Sequence, residues 1–377
     1  MTRVLSAHRY KSAVVALVAV AITAGLAARI LSDFGWDATA FVGFGEDATA
    51  IREYAEERLG EVVLRQAAGH DGKFFFIQAN DPWVTEAGDR VELLDYPVHR
   101  SRRMLYPLLA GGLGLFGPGL IVWSLLVSNV IWMALGTWGT ARLAQALGGS
   151  PWWGLVFTLN IGLVFTLIID GAGILALALG VWAVYLLYEN RFAPAVALLA
   201  ASALTREAML VCAIGVATWL WSRGRRRHAF AAFGVPALAL GLWEIYLRMR
   251  LGPDSGLPGS FGLPFVGLAR AMTQWSREPI VMAFGACLLI LAILLVRRWW
   301  VGRSLLSWAF IGFVPLAILF TAPVWTEFFD FTRVLAPLFT ASILVVFVED
   351  RTASVDSESR AQGPSVSSGN DSNSSSL

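Results

Sequence analysis

Two aspartates and a handful of arginines are the residues of this chain whose chemistry could make or break a bond. Asp71 lies in HDGKFFFIQANDP, residues 70–82, beside three consecutive phenylalanines, and Asp37 lies in GWDAT, residues 35–39. A positioned carboxylate takes a proton from a hydroxyl, and arginine holds a phosphate through paired, charge-assisted hydrogen bonds. Arginines of this kind stand at Arg102 and Arg103 in RRMLYP, at Arg206 next to Glu207 in LTREAML, and at Arg333, three residues after Asp330, in DFTRVLAP. Together they describe a site that binds an anion and deprotonates a second reactant. One carboxylate is enough when the leaving group is already a phosphate, unlike the paired acids of glycoside hydrolysis. Each residue also has a structural reading. Asp37 and Asp71 fit solvated loop acids, and Arg102 and Arg103 fit interfacial anchors. Arg206 and Glu207 could neutralise one another at a helix break. Asp330 and Arg333 suit a helical i,i+3 pair, and Phe74 to Phe76 suit loop packing.

The elements that must carry these residues are membrane helices. The chain has 377 residues, 56% hydrophobic and 15% charged, with mean hydropathy +0.63. So much apolar surface exceeds what a soluble core can hide, so the bilayer is its solvent and an all-α polytopic fold is expected. A net charge of +2, with basic residues in short loops, argues against a nucleic-acid partner. His8, His70, His99 and His228 are scattered, and Cys212 and Cys287 sit inside apolar runs, so neither type forms a metal pattern.

Arg3, Arg9 and Lys11 precede an apolar run at residues 12–31, read as an uncleaved first helix with a cytoplasmic N-terminus. Residues 33–117 contain no spanning run and much of the chain's acid, and are read as a large extracytoplasmic loop. Within it an interfacial amphipathic helix is expected over 48–68, and a short interfacial or re-entrant segment over 104–116. Spans follow at 119–144, 152–169, 171–188, 229–247, 279–296, 304–322 and 332–348, with 192–222 split into two shorter helices at Arg206 and Glu207. That totals about ten transmembrane or half-spanning helices within a membrane domain of residues 1–348. It sets Arg142, Arg191, the arginines of 223–227, Arg297, Arg298, Arg303 and Arg351 on the cytoplasmic side. Asp37, Asp71, Arg100, Arg102, Arg103, Asp170, Arg206, Glu207, Glu244, Arg248, Asp330 and Arg333 then gather at the opposite face. Residues 251–278 form an extracytoplasmic lid or connector, and the serine-rich residues 349–377 a disordered cytoplasmic tail.

Asp37 just after the first helix, the 70–82 stretch, RRMLYP, LTREAML and DFTRVLAP together resemble the bacterial multi-spanning glycosyltransferases of the GT-C superfamily, over most of residues 1–348. The resemblance implies an inverting transferase of the plasma membrane. Such an enzyme moves a hexosyl or pentosyl group from a polyprenyl-phosphate carrier to an extracytoplasmic glycan or glycolipid acceptor. Asp37 matches the position of the family's general base and Asp71 a motif acid deeper in the loop, so both are catalytic candidates, with Asp37 favoured as the base and Asp71 assisting in acceptor or metal binding. Arg102, Arg103, Tyr106, Arg206, Glu207, Asp330 and Arg333 are then substrate-binding residues, and a divalent cation is left open as a cofactor. The chain departs from the motif at His70, where tyrosine is frequent, and at Lys73. Two other classes stay open: a transporter, which wants ionisable groups near the bilayer midplane, and a non-catalytic partner in envelope polysaccharide assembly.

Overall fold

A computed structural model describes residues 2–65, 67–254, 261–275 and 278–349. The expected tail falls almost entirely outside the described residues, and so do residues 255–260 in the middle of the 251–278 connector. The protein is overwhelmingly helical, with a two-residue parallel pairing, Phe44–Gly45 against Leu64–Arg65, inside the first loop.

Among the described residues four helices are long and apolar enough to cross a membrane: Tyr10–Asp33, Pro118–Ala146, Arg226–Leu251 and Pro279–Gly302. The count is up to 6 if each of two bent pairs is one span. About 20 apolar residues are needed to cross the hydrocarbon, and several expected spans are interrupted before reaching that length. The expected span at 152–169 is Pro151–Thr158 followed by Ile161–Ile168, bent by 50°, where the Asn160 side chain leaves the helical ladder to accept from the Gly162 amide. The expected span at 332–348 is bent by 55° between Phe328–Val334 and the helix that begins at Ala336. The break expected near Arg206 is present: Phe192–Thr205 ends at Arg206, whose extended backbone (φ −154°, ψ 117°) separates it from the next helix. Gly173–Tyr188, Phe192–Thr205, Glu207–Ser222 and Leu305–Leu319 are shorter apolar helices.

The amphipathic helix expected over 48–68 stops early, at Thr49–Leu59, because Gly60 turns the chain through φ 82°, ψ −143°, a conformation open essentially to glycine. Beyond it the chain extends to pair with Phe44–Gly45, which closes this part of the loop on itself. The loop's apolar residues join the main core: Phe41, Phe44, Phe76 and Tyr106 are fully buried together with Leu125, Phe157 and Phe331 from the membrane helices. Loop and helices therefore form one hydrophobic unit, and a site between them has packed walls on both sides.

Candidate functional site

The loop meets the membrane helices around the N-terminus of the helix Gly72–Asn80, and a glycine makes the approach close. A Cβ on Gly72 would stand 2.6 Å from the Val42 carbonyl oxygen and 2.7 Å from that of Ile169. Phe75 and Phe76, one turn on, are buried, and Phe75 packs edge-on against Tyr106 at 5.2 Å between ring centroids. Lys73 is buried too, its ammonium donating to the Ala68 carbonyl. Thus most of the phenylalanine triplet is packing that holds Asp71 in position. Phe74 keeps one face for a cation, with the Arg100 guanidinium 4.2 Å from its centroid.

Asp71 opens on a cavity of ≈ 330 Å³ walled by Arg100, Arg103, Arg206, Asp330 and Arg333, with Gly171 to Gly173 and Thr166 as its floor. Arg333 donates from both Nη atoms to Asp71 Oδ2 at 3.3 Å and from Nη2 to Asp330 Oδ1 at 2.9 Å. Arg100 reaches Asp71 Oδ1 at 3.5 Å while its Nε and Nη2 hold Asp95 at 2.9 Å each. Arg103 grips Glu207 at 3.3 and 3.4 Å. Arg206 differs: among the described residues its guanidinium has no carboxylate within ion-pair reach, and it donates to the Arg333 carbonyl oxygen at 3.3 Å. Its charge is directed at the cavity without a partner of its own.

Burial pushes the Asp71 carboxyl up, but Arg333, Arg103, Arg100 and Arg206 outweigh it and hold the group below the usual carboxylate range. Asp71 is therefore ionised at neutral pH. Burial, with Arg65 and Arg333 nearby, pushes His70 down, so its ring, stacked on Phe329 at 5.5 Å, is neutral there.

The other expected site residues lie elsewhere. Asp37 is not among the cavity's walls. Its Oδ1 accepts from the Thr39 amide at 2.8 Å, a local turn that fixes the chain just after the first helix. Arg102 is also outside the cavity, bound in parallel to Glu244 at 2.6 and 2.9 Å, with Arg248 sharing the same carboxylate at 2.9 Å. That fork ties the loop to the helix Arg226–Leu251. Tyr106 is fully buried, its hydroxyl donating to the Leu125 carbonyl and accepting from Asn129, so it reaches the cavity only through Phe75. Arg206 and Glu207 do not neutralise one another, because Glu207 turns to Arg103. Arg100 and the Gly171 to Gly173 floor belong to the site although no motif marks them. The sequence signal for Arg100 is its place among the ionisable residues expected at the extracytoplasmic face. Glycines 171 and 173 carry a quieter one, a small-residue break between two apolar runs.

Among the described residues no group of three or more His, Cys, Asp and Glu could hold a metal ion. Both oxygens of Asp71 are taken by guanidinium groups, a donor set that suits an anion and not a divalent cation. Beside the polar cavity runs a second of ≈ 330 Å³, lined wholly by apolar side chains that include Phe265, Leu288, Trp325, Leu335 and Leu338. The two share one bend of the chain, since Arg333 and Val334 wall the first and Leu335 the second.

Fold and site together define a helical integral membrane protein with an arginine-rich pocket, roofed by its first loop and flanked by an apolar groove. Comparison with protein-family models, with curated proteins and with solved structures finds no match.

Proposed function

We propose that this chain is an inverting glycosyltransferase of the plasma membrane, with about ten transmembrane or half-spanning segments and both termini in the cytoplasm. It moves a sugar from a polyprenyl-phosphate carrier to a glycan or glycolipid acceptor outside the membrane. The observation that carries the reading is the Asp71 cavity, walled by the carboxylates of Asp71 and Asp330 and by four arginines, of which Arg206 alone has no carboxylate within ion-pair reach among the described residues. A phosphodiester anion gives Arg206 the partner it lacks, and the adjoining apolar groove suits the lipid attached to it.

In this reading the acceptor hydroxyl attacks the anomeric carbon from the side opposite the phosphate. Asp71 takes the hydroxyl proton as the new C–O bond forms. The electron pair of the breaking bond leaves on the phosphate oxygen, where Arg206 and Arg333 stabilise the added charge. The reading takes Asp71 in preference to Asp37 as the base because Asp71 lines the cavity and Asp37 does not. A held-down pKa makes Asp71 a weak base at rest. An incoming phosphate competes for Arg333 and Arg100 and so strengthens it when the donor is bound.

The test is a deletion strain whose lipid-linked sugars and surface polymers are profiled, complemented with wild type, Asp71→Asn, Arg206→Gln or Asp37→Asn. The reading expects accumulation of a polyprenyl-phosphate sugar in the deletion, retained with Asp71→Asn and relieved by wild type. Normal polymer with an Asp71→Asn protein that is folded and inserted would exclude Asp71 chemistry and favour the non-catalytic assembly partner.

A further inference from the structure

We propose that the hairpin joining Leu210–Ser222 to Arg226–Leu251 is a binding site for one anionic phospholipid, with its phosphate on the arginines and an acyl chain in the groove beneath. This site stands apart from the Asp71 cavity: thirteen residues of helix separate it from Arg206, about 20 Å at 1.5 Å per residue. Three observations coincide here. Arg223, Arg225, Arg226 and Arg227 are all exposed, and among the described residues none has a carboxylate within ion-pair distance. Arg223 and Arg226 do not wave free, for their guanidinium groups lie 5.0 and 5.3 Å from the rings of Trp219 and Trp221. That keeps them against the helix surface with their remaining N–H donors open.

Second, these arginines surround the N-terminus of the 26-residue helix Arg226–Leu251. The amides of Arg226 and Ala229 bond back to Gly224 and Arg225, whereas those of Arg227 and His228 take no backbone acceptor. Unpaired first-turn amides and the positive end of a long helix favour a phosphate. Third, directly below lies a cavity of ≈ 360 Å³ walled by Ile214, Ala217, Thr218 and Trp221 on one helix and by Ala229, Phe230 and Phe233 on the other. Its rim residues Trp221 and Phe230 are 49% and 68% exposed. Its wall residues climb one helix at positions i, i+3, i+4 and i+7, a strip about 10 Å long ending under the arginines. Free inorganic phosphate would use the arginines and leave the groove empty. A neutral lipid would use the groove and leave four charges unanswered. An anionic phospholipid answers both, and a basic cluster is expected on the leaflet where such lipids concentrate.

The experiment uses the full chain purified in neutral detergent, with bound lipid counted by native mass spectrometry and protection followed by thermal unfolding. Phosphatidylglycerol, phosphatidylcholine and inorganic phosphate are titrated separately. Each arginine near an anionic headgroup contributes roughly fivefold in affinity. The expected result is one tightly held phosphatidylglycerol, bound at least about tenfold better than phosphatidylcholine, weakening with salt, with no protection by inorganic phosphate at equal concentration. Replacing Arg223, Arg225, Arg226 and Arg227 with Gln brings phosphatidylglycerol down to the phosphatidylcholine level, and Thr218→Trp, which fills the groove, weakens both lipids. Equal binding of the two lipids by the wild type, a preference that survives the arginine changes, or equal protection by inorganic phosphate overturns the proposal. Should the fourfold variant not purify, Arg226→Gln with Arg227→Gln reads the same charge dependence. The result is independent of whether the Asp71 cavity transfers a sugar.

Discussion

Replacing Arg206 with glutamine separates an anion-binding role from a structural one. Among the described residues the Arg206 guanidinium has no carboxylate within ion-pair reach, its hydrogen bond is a 3.3 Å contact with the Arg333 backbone carbonyl, and it lines the cavity with Arg103 and Arg333. Taking its charge away removes like-charge repulsion and leaves no acid unpaired, so the folded state loses little: well under 1 kcal/mol for a long neutral hydrogen bond, offset by relieved repulsion. Arg103→Gln is the control. It strands Glu207 in a site where that carboxylate is only 29% exposed, and breaking such a pair costs about 3 kcal/mol before some discount for residual solvent. Binding should show the reverse order. A charge-assisted hydrogen bond from Arg206 to a phosphate contributes about 1.5 to 3 kcal/mol, so its loss weakens a short-chain polyprenyl phosphate roughly 10- to 150-fold. Thermal unfolding in detergent and ligand titration of the same samples read both quantities. If Arg206→Gln lowers stability as much as Arg103→Gln does, or leaves phosphate affinity unchanged, then Arg206 is a structural residue and the anion site is wrongly assigned.

Further outcomes follow from the same geometry. Because the arginines hold Asp71 below its ordinary value of about 4, its ion pairs contribute stability that is complete above that pH and is lost as pH falls through the lower folded value. The acid limb of an unfolding-versus-pH curve should therefore flatten in Asp71→Asn, and an unchanged limb would contradict the pairing with Arg333. Gly72→Ala drives a methyl into two backbone carbonyls, costing about 1 to 3 kcal/mol and displacing Asp71 from Arg333. Transfer should fall with it, and a fully active, equally stable Gly72→Ala protein would show that the approach is not tight. Glu244→Gln unlocks Arg102 and Arg248 together and should lower stability by about 1 to 2 kcal/mol while leaving phosphate affinity within twofold. A selective loss of affinity would instead return Arg102 to the substrate. Asp37→Asn keeps the acceptor for the Thr39 amide and should retain transfer, measured as lipid-linked sugar turnover. Its loss would bring the base back to Asp37.

The membrane solvent, the helix class, the break at Arg206 and the residue types of the site were all legible in the linear chain. Each follows from local chemistry: apolar run length, the cost of charge within such runs, and the pairing of carboxylate with arginine. Which acid would face which arginine was not legible. Asp37 and Asp71 are equivalent as residue types. Gly72 lets the loop backbone come close enough to Val42 and Ile169 to set Asp71 against Arg333, 262 positions away, while Asp37 spends its carboxylate on the amide two residues on. In the same way Arg102 and Arg103 are neighbours in sequence with opposite fates, one outside the cavity and tied to Glu244 on a membrane helix, the other lining the cavity and tied to Glu207. The number of full crossings also escaped the sequence, because Asn160 and the bend after Val334 interrupt runs whose hydropathy is continuous. Apolarity along the chain determined where the protein lives. Long-range charge pairing and close backbone contact, which depend on the whole fold, decided which of its charges form a site.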